Sequence, residues 1–219
     1  MFVYKLWRKI VYSIMYLPRK MFYNKLKKKL INTDFTIISS DCFGGLVYHN
    51  LAQRFNSPTI NLYFSQTDFI NFVSNLKEYL SKELVEVLDH NMNHPVGKLS
   101  CDGVDVVINF MHYSSFEYAK KKWDERKNRV DFQNIYIIQT LPRDLTREYI
   151  ETFENLPFDN KLLITKNNRF NSDCIVSHPI FSSKNYKPGK ILEYKSLVSL
   201  KRYMDDIDYV KFLNKKQKN

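Results

Sequence analysis

Residues 35–51 run F-T-I-I-S-S-D-C-F-G-G-L-V-Y-H-N-L, and this stretch constrains the fold more than any other. A β-branched apolar run stops at a short polar turn, crosses paired glycines and continues at helical spacing. That is a strand, a tight turn and a helix, the unit from which open α/β sheets are wound. Ligands of such sheets sit in the crevice beyond the carboxyl ends of the strands. The turn gathers Ser39, Ser40, Asp41 and Cys42 at that end, with His49 two turns into the helix.

The rest of the chain extends the pattern. Asn56-Ser57-Pro58 reads as a turn and residues 59–64 as a second strand. Ser65 or Thr67 caps a helix with Phe69, Phe72, Val73, Leu76 and Leu80 on one face, and a further helical piece covers residues 84–88. Strands at 97–101 and 104–111 flank Asp102-Gly103, a hairpin signal. Ser114 or Ser115 opens a charged helix to Lys127, with Glu117 completing a capping box from Ser114. Strands follow at 135–138, 162–165 and 174–176, with a helix at 146–154 and a tail helix at 197–213 before frayed final lysines. The expected fold is α/β: a three-layer α/β/α domain with a mixed, mostly parallel sheet and an inserted β-hairpin. A length of 219 residues suits one sizeable domain, and 44% hydrophobic with 15% aromatic residues excludes a disordered chain.

Charge divides the sequence into residues 1–31, a basic amphipathic segment, and residues 32–219, the α/β domain. The net charge is +11 and the pI near 9.4, which calls for an anionic neighbour. Lys5, Arg8, Lys9, Arg19, Lys20, Lys25, Lys27, Lys28 and Lys29 all precede the first acidic residue, Asp34. Between them Phe2, Val3, Leu6, Trp7, Ile10, Val11, Ile14, Met15 and Leu17 paint a helical stripe. Lys5, Arg8 and Lys9 interrupt it well short of the roughly 20 apolar residues of a membrane span. No signal-peptide cleavage site follows. Such a helix suits the surface of an anionic leaflet, each basic residue adding about 1 kcal/mol. The alternative is a helix packed on the domain with its lysines in water. Pro18 is expected to break or kink it. No nucleic-acid-reading module is recognisable, so nucleic acid is not an expected partner. Cys42, Cys101 and Cys174 form no C-x-x-C pair, which fits a reduced cytoplasmic compartment and gives no structural zinc site. No metal is expected.

The candidate chemistry centres on the first turn. Cys42 at a helix N-terminus would have its thiolate favoured, with His49 or His112 as base; otherwise it fills a small apolar gap beside Phe43. Ser39 or Ser40 is an alternative nucleophile, or these serines and the Gly44-Gly45 amides form an anion nest. Asp41 either orients a histidine or caps the helix. His49 lies seven residues past Cys42, about 10 Å along a helix and beyond direct reach. His112, at the end of the 104–111 strand and beside Tyr113 and Ser114, is the better partner, or simply a half-exposed strand-end residue. Trp123, Arg126 and Arg129 could stack and fork onto a sugar or phosphate, or form a core anchor with a solvated face. Arg143 and Asp144 make a polar pair after the 135–138 strand. His90, His94 and His178 have no ligand-like spacing.

Seven segments in order, I-S-S-D-C-F-G-G, N-S-P-T-I-N-L-Y-F, F-I-N-F-V-S-N-L-K-E-Y-L, H-P-V-G-K-L, N-F-M-H-Y-S-S, W-D-E-R-K-N-R-V and L-P-F-D-N-K-L-L-I-T, together resemble a bacterial family of uncharacterised proteins. That family occurs among capsular and exopolysaccharide biosynthesis genes, and some members are labelled acetyltransferases. Cys42, Gly44, Gly45, Ser57, Pro58, His112, Tyr113, Trp123 and Arg126 match its pattern, while Asp41 and Phe43 replace other residues of its S-x-x-C-W-G-G turn. The resemblance implies a cytoplasmic step in surface-polysaccharide assembly, peripheral on the inner face of the bacterial membrane. The substrate would be a lipid-linked or nucleotide sugar. The leading expectation is acetyl transfer from acetyl-CoA to a sugar hydroxyl. His112 would be the base, the Gly44-Gly45 amides the oxyanion donors, and Cys42 an acyl carrier or pocket wall. Glycosyl or glycosyl-phosphate transfer using Asp102, Asp105 or Asp144 is an alternative, and a non-catalytic membrane-peripheral scaffold is another.

Overall fold

The computed structural model describes residues 2–88, 91–167 and 172–215, with side chains from Leu6 onward. His90 and the final lysines, Lys216 and Lys218, lie outside the described residues. In chain order the elements begin with α1 (Phe2–Lys28), β1 (Thr36–Ser39), α2 (Phe43–Asn50), α3 (Gln66–Ser74) and α4 (Leu76–Ser81). Then come β2 (Val85–Val87), β3 (Val96–Cys101), β4 (Val104–Asn109) and α5 (Phe116–Lys127). The chain continues with β5 (Ile135–Leu141), α6 (Arg147–Glu154), β6 (Lys161–Thr165), β7 (Ile175–Ser177) and α7 (Tyr209–Leu213).

The fold is α/β, as the strand–helix alternation predicts. Strands β1-β5-β6-β7 form a parallel sheet in that order. Alternate residues feed two cores. Ile38, Ile137, Leu163 and Ile175 face α3–α6 and the antiparallel strands, while Ile37, Tyr136, Ile138 and Ile164 face α2 and α7. This period-2 partition is what a sheet covered on both faces requires. The hairpin is not inserted into that sheet. With β2 it makes a separate antiparallel sheet, β2-β3-β4, linked to the rest by the Tyr63–Asn109 bridge. Asp102 and Gly103 both take positive φ (50° and 78°), the backbone twist that a two-residue hairpin needs.

β1 lies at an edge of the parallel sheet, yet its backbone is not open. The Ile37 amide donates to the Tyr48 hydroxyl at 2.9 Å, and that hydroxyl donates to the Phe35 carbonyl at 3.0 Å. The Ser39 amide donates to Thr59 Oγ1 at 2.9 Å, and the Phe64 amide donates to the Ser40 carbonyl at 2.9 Å. Residues 59–64, expected as a second strand, therefore lie alongside β1 without forming one. Asn61 turns the backbone with φ of 62°, and side-chain hydroxyls replace the missing ladder. Unpaired buried amides would otherwise be costly.

Other expectations are corrected. Residues 84–88 contain β2 rather than helix; five residues are too few for periodicity to decide. Of the two expected serines it is Ser115 that caps α5, by accepting from the Tyr118 amide, so the capping box does not start at Ser114. The tail at 197–213 is not one helix. A 3-10 turn at Tyr203–Asp206 precedes α7, because the Asp205 carboxylate accepts from the Arg202 amide and Asp208 starts a fresh cap. α1 runs unbroken through Pro18, held by buried Val11 before it and by Arg19 and Tyr23 after it. Arg19 donates to the Ser199 and Leu197 carbonyls, and the Tyr23 hydroxyl donates to Asp205. The C-terminal half of α1 is thus part of the domain rather than a detached arm.

Thr59→Val keeps the shape of the side chain but strands the buried Ser39 amide. Urea denaturation should show a loss of about 1–3 kcal/mol relative to the wild type.

Candidate functional site

The turn after β1 is built by its own side chains. Ser39 Oγ accepts from the Gly44 amide at 3.2 Å, and Ser40 Oγ accepts from the Thr140 amide at 3.1 Å. Asp41 Oδ1 accepts from the Phe43 amide at 2.9 Å, closing the turn two residues on, while Cys42 takes the N-cap position of α2. A Cβ on Gly44 would come within 2.9 Å of Ile37 Cγ2 and Ser39 Cβ, so α2 can pack this closely on β1 only with glycine there. Ser39 and Ser40 are buried and committed to the backbone, and neither is placed as a nucleophile. The Gly44 amide is likewise engaged, which removes it from an anion nest or oxyanion hole.

A cleft of about 1010 Å³ opens beside this turn, and Cys42, Gly45, His49 and His112 all line it. His49 reaches it from α2 and His112 from the end of the hairpin sheet. The two histidines and the thiol thus share a cavity, although no carboxylate among the described residues is hydrogen-bonded to His112. The far wall comes from Arg8 and Tyr12 of α1 and from the segment between Lys187 and Arg202. Among the described lining residues Arg8, Lys187, Lys190, Lys195 and Arg202 outnumber one lining carboxylate, Glu193, which Lys187 and Lys190 engage at 3.0 and 2.8 Å, while Lys195 pairs with Asp206 at 2.6 Å. The cleft therefore favours anions. Tyr194 stiffens that wall: the Arg19 and Arg202 guanidinium groups lie 3.6 and 4.2 Å from its ring centroid.

The other predicted residues do not line the cleft. Ser57 is buried and its hydroxyl bonds that of Thr59 at 3.0 Å, bracing the edge of β1. Trp123 is a core residue packed on Phe72 and Phe110. Arg126 donates to the Tyr113 hydroxyl at 2.7 Å and lies over Phe55, while Arg129 donates to the Phe55 carbonyl. Tyr113 in turn donates to the Ile60 carbonyl. These groups hold Phe55, itself a cleft residue, from one layer behind. Ser114 and Arg143 are exposed away from it, and Asp144 pairs with Lys166. His178, assigned no role, is buried and bonded to the Ile180 amide and the Tyr203 carbonyl, pinning the tail to β7. Sequence reasoning missed the basic wall, whose signal was the density of lysine and arginine between 184 and 202.

Electrostatics revise the thiol. Burial, reinforced by the charge of adjacent Asp41, pushes Cys42 up to about 12. Burial and the neighbouring carboxylate thus work against the thiolate that a helix N-terminus would favour. Burial also pushes the Asp41 carboxyl up to about 6, against the Phe43 amide and Thr140 hydroxyl that favour its charged form. The three cysteines are unpaired. Among the described residues no cluster of histidine, cysteine and carboxylate could hold a metal ion, and no helix is long and apolar enough to cross a membrane.

Two measurements follow from these shifts. Cys42 should react with iodoacetamide near neutral pH at least about tenfold more slowly than a free thiol, as read by mass spectrometry on the intact fold. The raised Asp41 pKa contributes stability fully present below the unfolded value of 3.8 and lost as pH rises through about 6. Asp41→Asn keeps the accepting oxygen but cannot ionise. Its stability relative to wild type should rise by roughly 1–3 kcal/mol between about pH 4 and 7 in urea titrations.

A family model described as "Domain of unknown function (DUF1919)" matches residues 14–214, from the middle of α1 to the end of α7. A Haemophilus influenzae protein described as "Uncharacterized protein" is 36% identical over 205 residues, spanning 90% of this chain and 92% of its own length. The family model spans the β1 turn, the hairpin and the segment between Lys187 and Arg202, and the chain belongs to the DUF1919 family.

Proposed function

We propose that the protein is a transferase of capsular or exopolysaccharide assembly, peripheral on the cytoplasmic face of the membrane. It passes an acyl group to a hydroxyl of a phosphate-bearing sugar held in the cleft. The observation that carries this reading is the meeting of His112, His49 and Cys42 in a cavity whose opposite wall is basic. An imidazole facing an anion-binding wall suits deprotonation of a hydroxyl on a substrate anchored by its phosphate.

In the reaction the sugar oxygen attacks the acyl carbon of a thioester donor such as acetyl-CoA, His112 takes the hydroxyl proton, the carbon–sulfur bond breaks, and the proton passes to the departing thiolate. The developing oxyanion faces the cleft's cationic side chains rather than the Gly44 amide, which Ser39 occupies. Cys42 serves as pocket wall, because a thiol pushed up to about 12 is a poor acyl carrier at neutral pH. The phosphate can belong to a lipid-linked or a nucleotide sugar. Glycosyl transfer through a carboxylate pair has less support: Asp105 is bound to Lys98 and Ser100, and Asp144 to Lys166.

The test follows acetyl-CoA consumption with lipid-linked and nucleotide sugars. His112→Ala should lower turnover roughly 100-fold or more, while Cys42→Ala stays within a few-fold of the wild type. Equal collapse of both variants would instead assign the thiol a covalent role. Absence of turnover with every sugar, despite an intact fold, would leave the scaffold reading in its place.

A further inference from the structure

α1 has two apolar faces, and only one is used. Val11, Arg19 and Tyr23 are buried on the domain. On the opposite side Trp7, Ile10, Ile14, Leu17 and Met21 stand in a row at alternating three- and four-residue spacing, and they are 57, 44, 66, 64 and 62% exposed. A contiguous apolar strip on a helix about 40 Å long needs a partner.

The charge along its borders indicates which. Lys9, Lys20 and Lys27 follow one edge of the strip and Lys25 and Lys28 close its C-terminal end, while α1 contains no acidic residue. The same spacing would suit a coiled coil with a second copy, but that pairing would set lysines against lysines with no glutamate or aspartate to answer them. An anionic bilayer answers both features at once: the strip enters the acyl boundary and the lysines meet the headgroups. We infer that α1 lies in the plane of an anionic membrane, with Trp7, Ile10, Ile14, Leu17 and Met21 as the inserted face.

This docking fixes the cleft as well. Arg8 and Tyr12, on the inner side of the same helix, line it, so the basic wall sits at headgroup depth. A phosphate on a lipid-anchored substrate then reaches the cleft without leaving the bilayer. The inference rests on the membrane address proposed above but not on the acyl-transfer chemistry.

The test is sedimentation of the full chain with phosphatidylcholine vesicles, alone or with about one-third phosphatidylglycerol. Wild type should pellet only with the anionic vesicles, and pelleting should fall with salt. Trp7 emission should shift to the blue, Trp123 being a silent background in the core. Ile14→Glu should weaken vesicle affinity at least about tenfold, as should the combined change Lys9→Glu, Lys20→Glu and Lys27→Glu. Both sets of positions are on the surface, and circular dichroism checks that the fold is kept. His112→Ala should pellet like wild type, which separates a failure of docking from a failure of the cleft's chemistry. Equal pelleting of Ile14→Glu and wild type, or no anionic-vesicle binding, would overturn the inference. So would a dimer in solution that Ile14→Glu dissociates.

Discussion

The edge of β1 that no strand pairs is the constraint on which the site depends. A short parallel strand at a sheet edge has one row of backbone groups without a ladder partner, and here that row is buried under residues 57–64. The chain meets it with hydroxyls. Tyr48, from the helix that β1 itself leads into, and Thr59, braced by Ser57, take up the Ile37 and Ser39 amides. Because these hydroxyls come from α2 and from the following loop, they lock the strand, its turn and its helix into one rigid corner. Asp41 and Ser39 complete the corner from inside by accepting from the first amides of α2. Cys42 and His49 then have little freedom in where they face.

That corner supplies only one side of the cleft. The hairpin sheet brings His112 in through the Tyr63–Asn109 bridge and the bond from the His112 amide to the Asn61 carbonyl, and the Tyr113–Arg126 contact fixes it against residues 55–60. The basic side comes from α1 and the irregular segment before α7, clamped together by Tyr194 between two guanidinium groups. Three distant parts of the sequence thus converge on one cavity. The division of labour follows from burial. Asp41 and Cys42, near the sheet, are desolvated and shifted toward their neutral forms, while the rim of the cleft is lined by lysines and arginines.

Elements with long or strongly marked patterns were legible from the sequence. The strand–turn–helix of residues 35–51, the Asp102-Gly103 hairpin, the buried run of β5 and the capped helices α3, α5 and α6 are all present. What was not legible depended on tertiary partners. Residues 59–64 have strand composition, but Asn61 and the Thr59 hydroxyl make them an edge filler. Residues 84–88 became a strand because β3 offered an edge to pair with. The tail broke into short turns around Asp205 and Asp208, whose partners, Tyr23 and Tyr209 among them, lie elsewhere in the chain or one turn on. At the site, Cys42, Gly45, His49 and His112 do share a cavity, whereas Tyr113, Trp123 and Arg126 sit behind it and the basic wall carries no motif at all.

The central claim is that the two histidines and the basic wall act as a single anion-binding site. Histidine-selective NMR during titration with a short isoprenyl phosphate tests it directly. The His49 and His112 ring signals should move together and saturate at one ligand concentration, His94 should stay still, and replacing Lys195 and Arg202 should abolish both responses. Movement of one ring without the other, or equal movement of His94, would contradict a shared site.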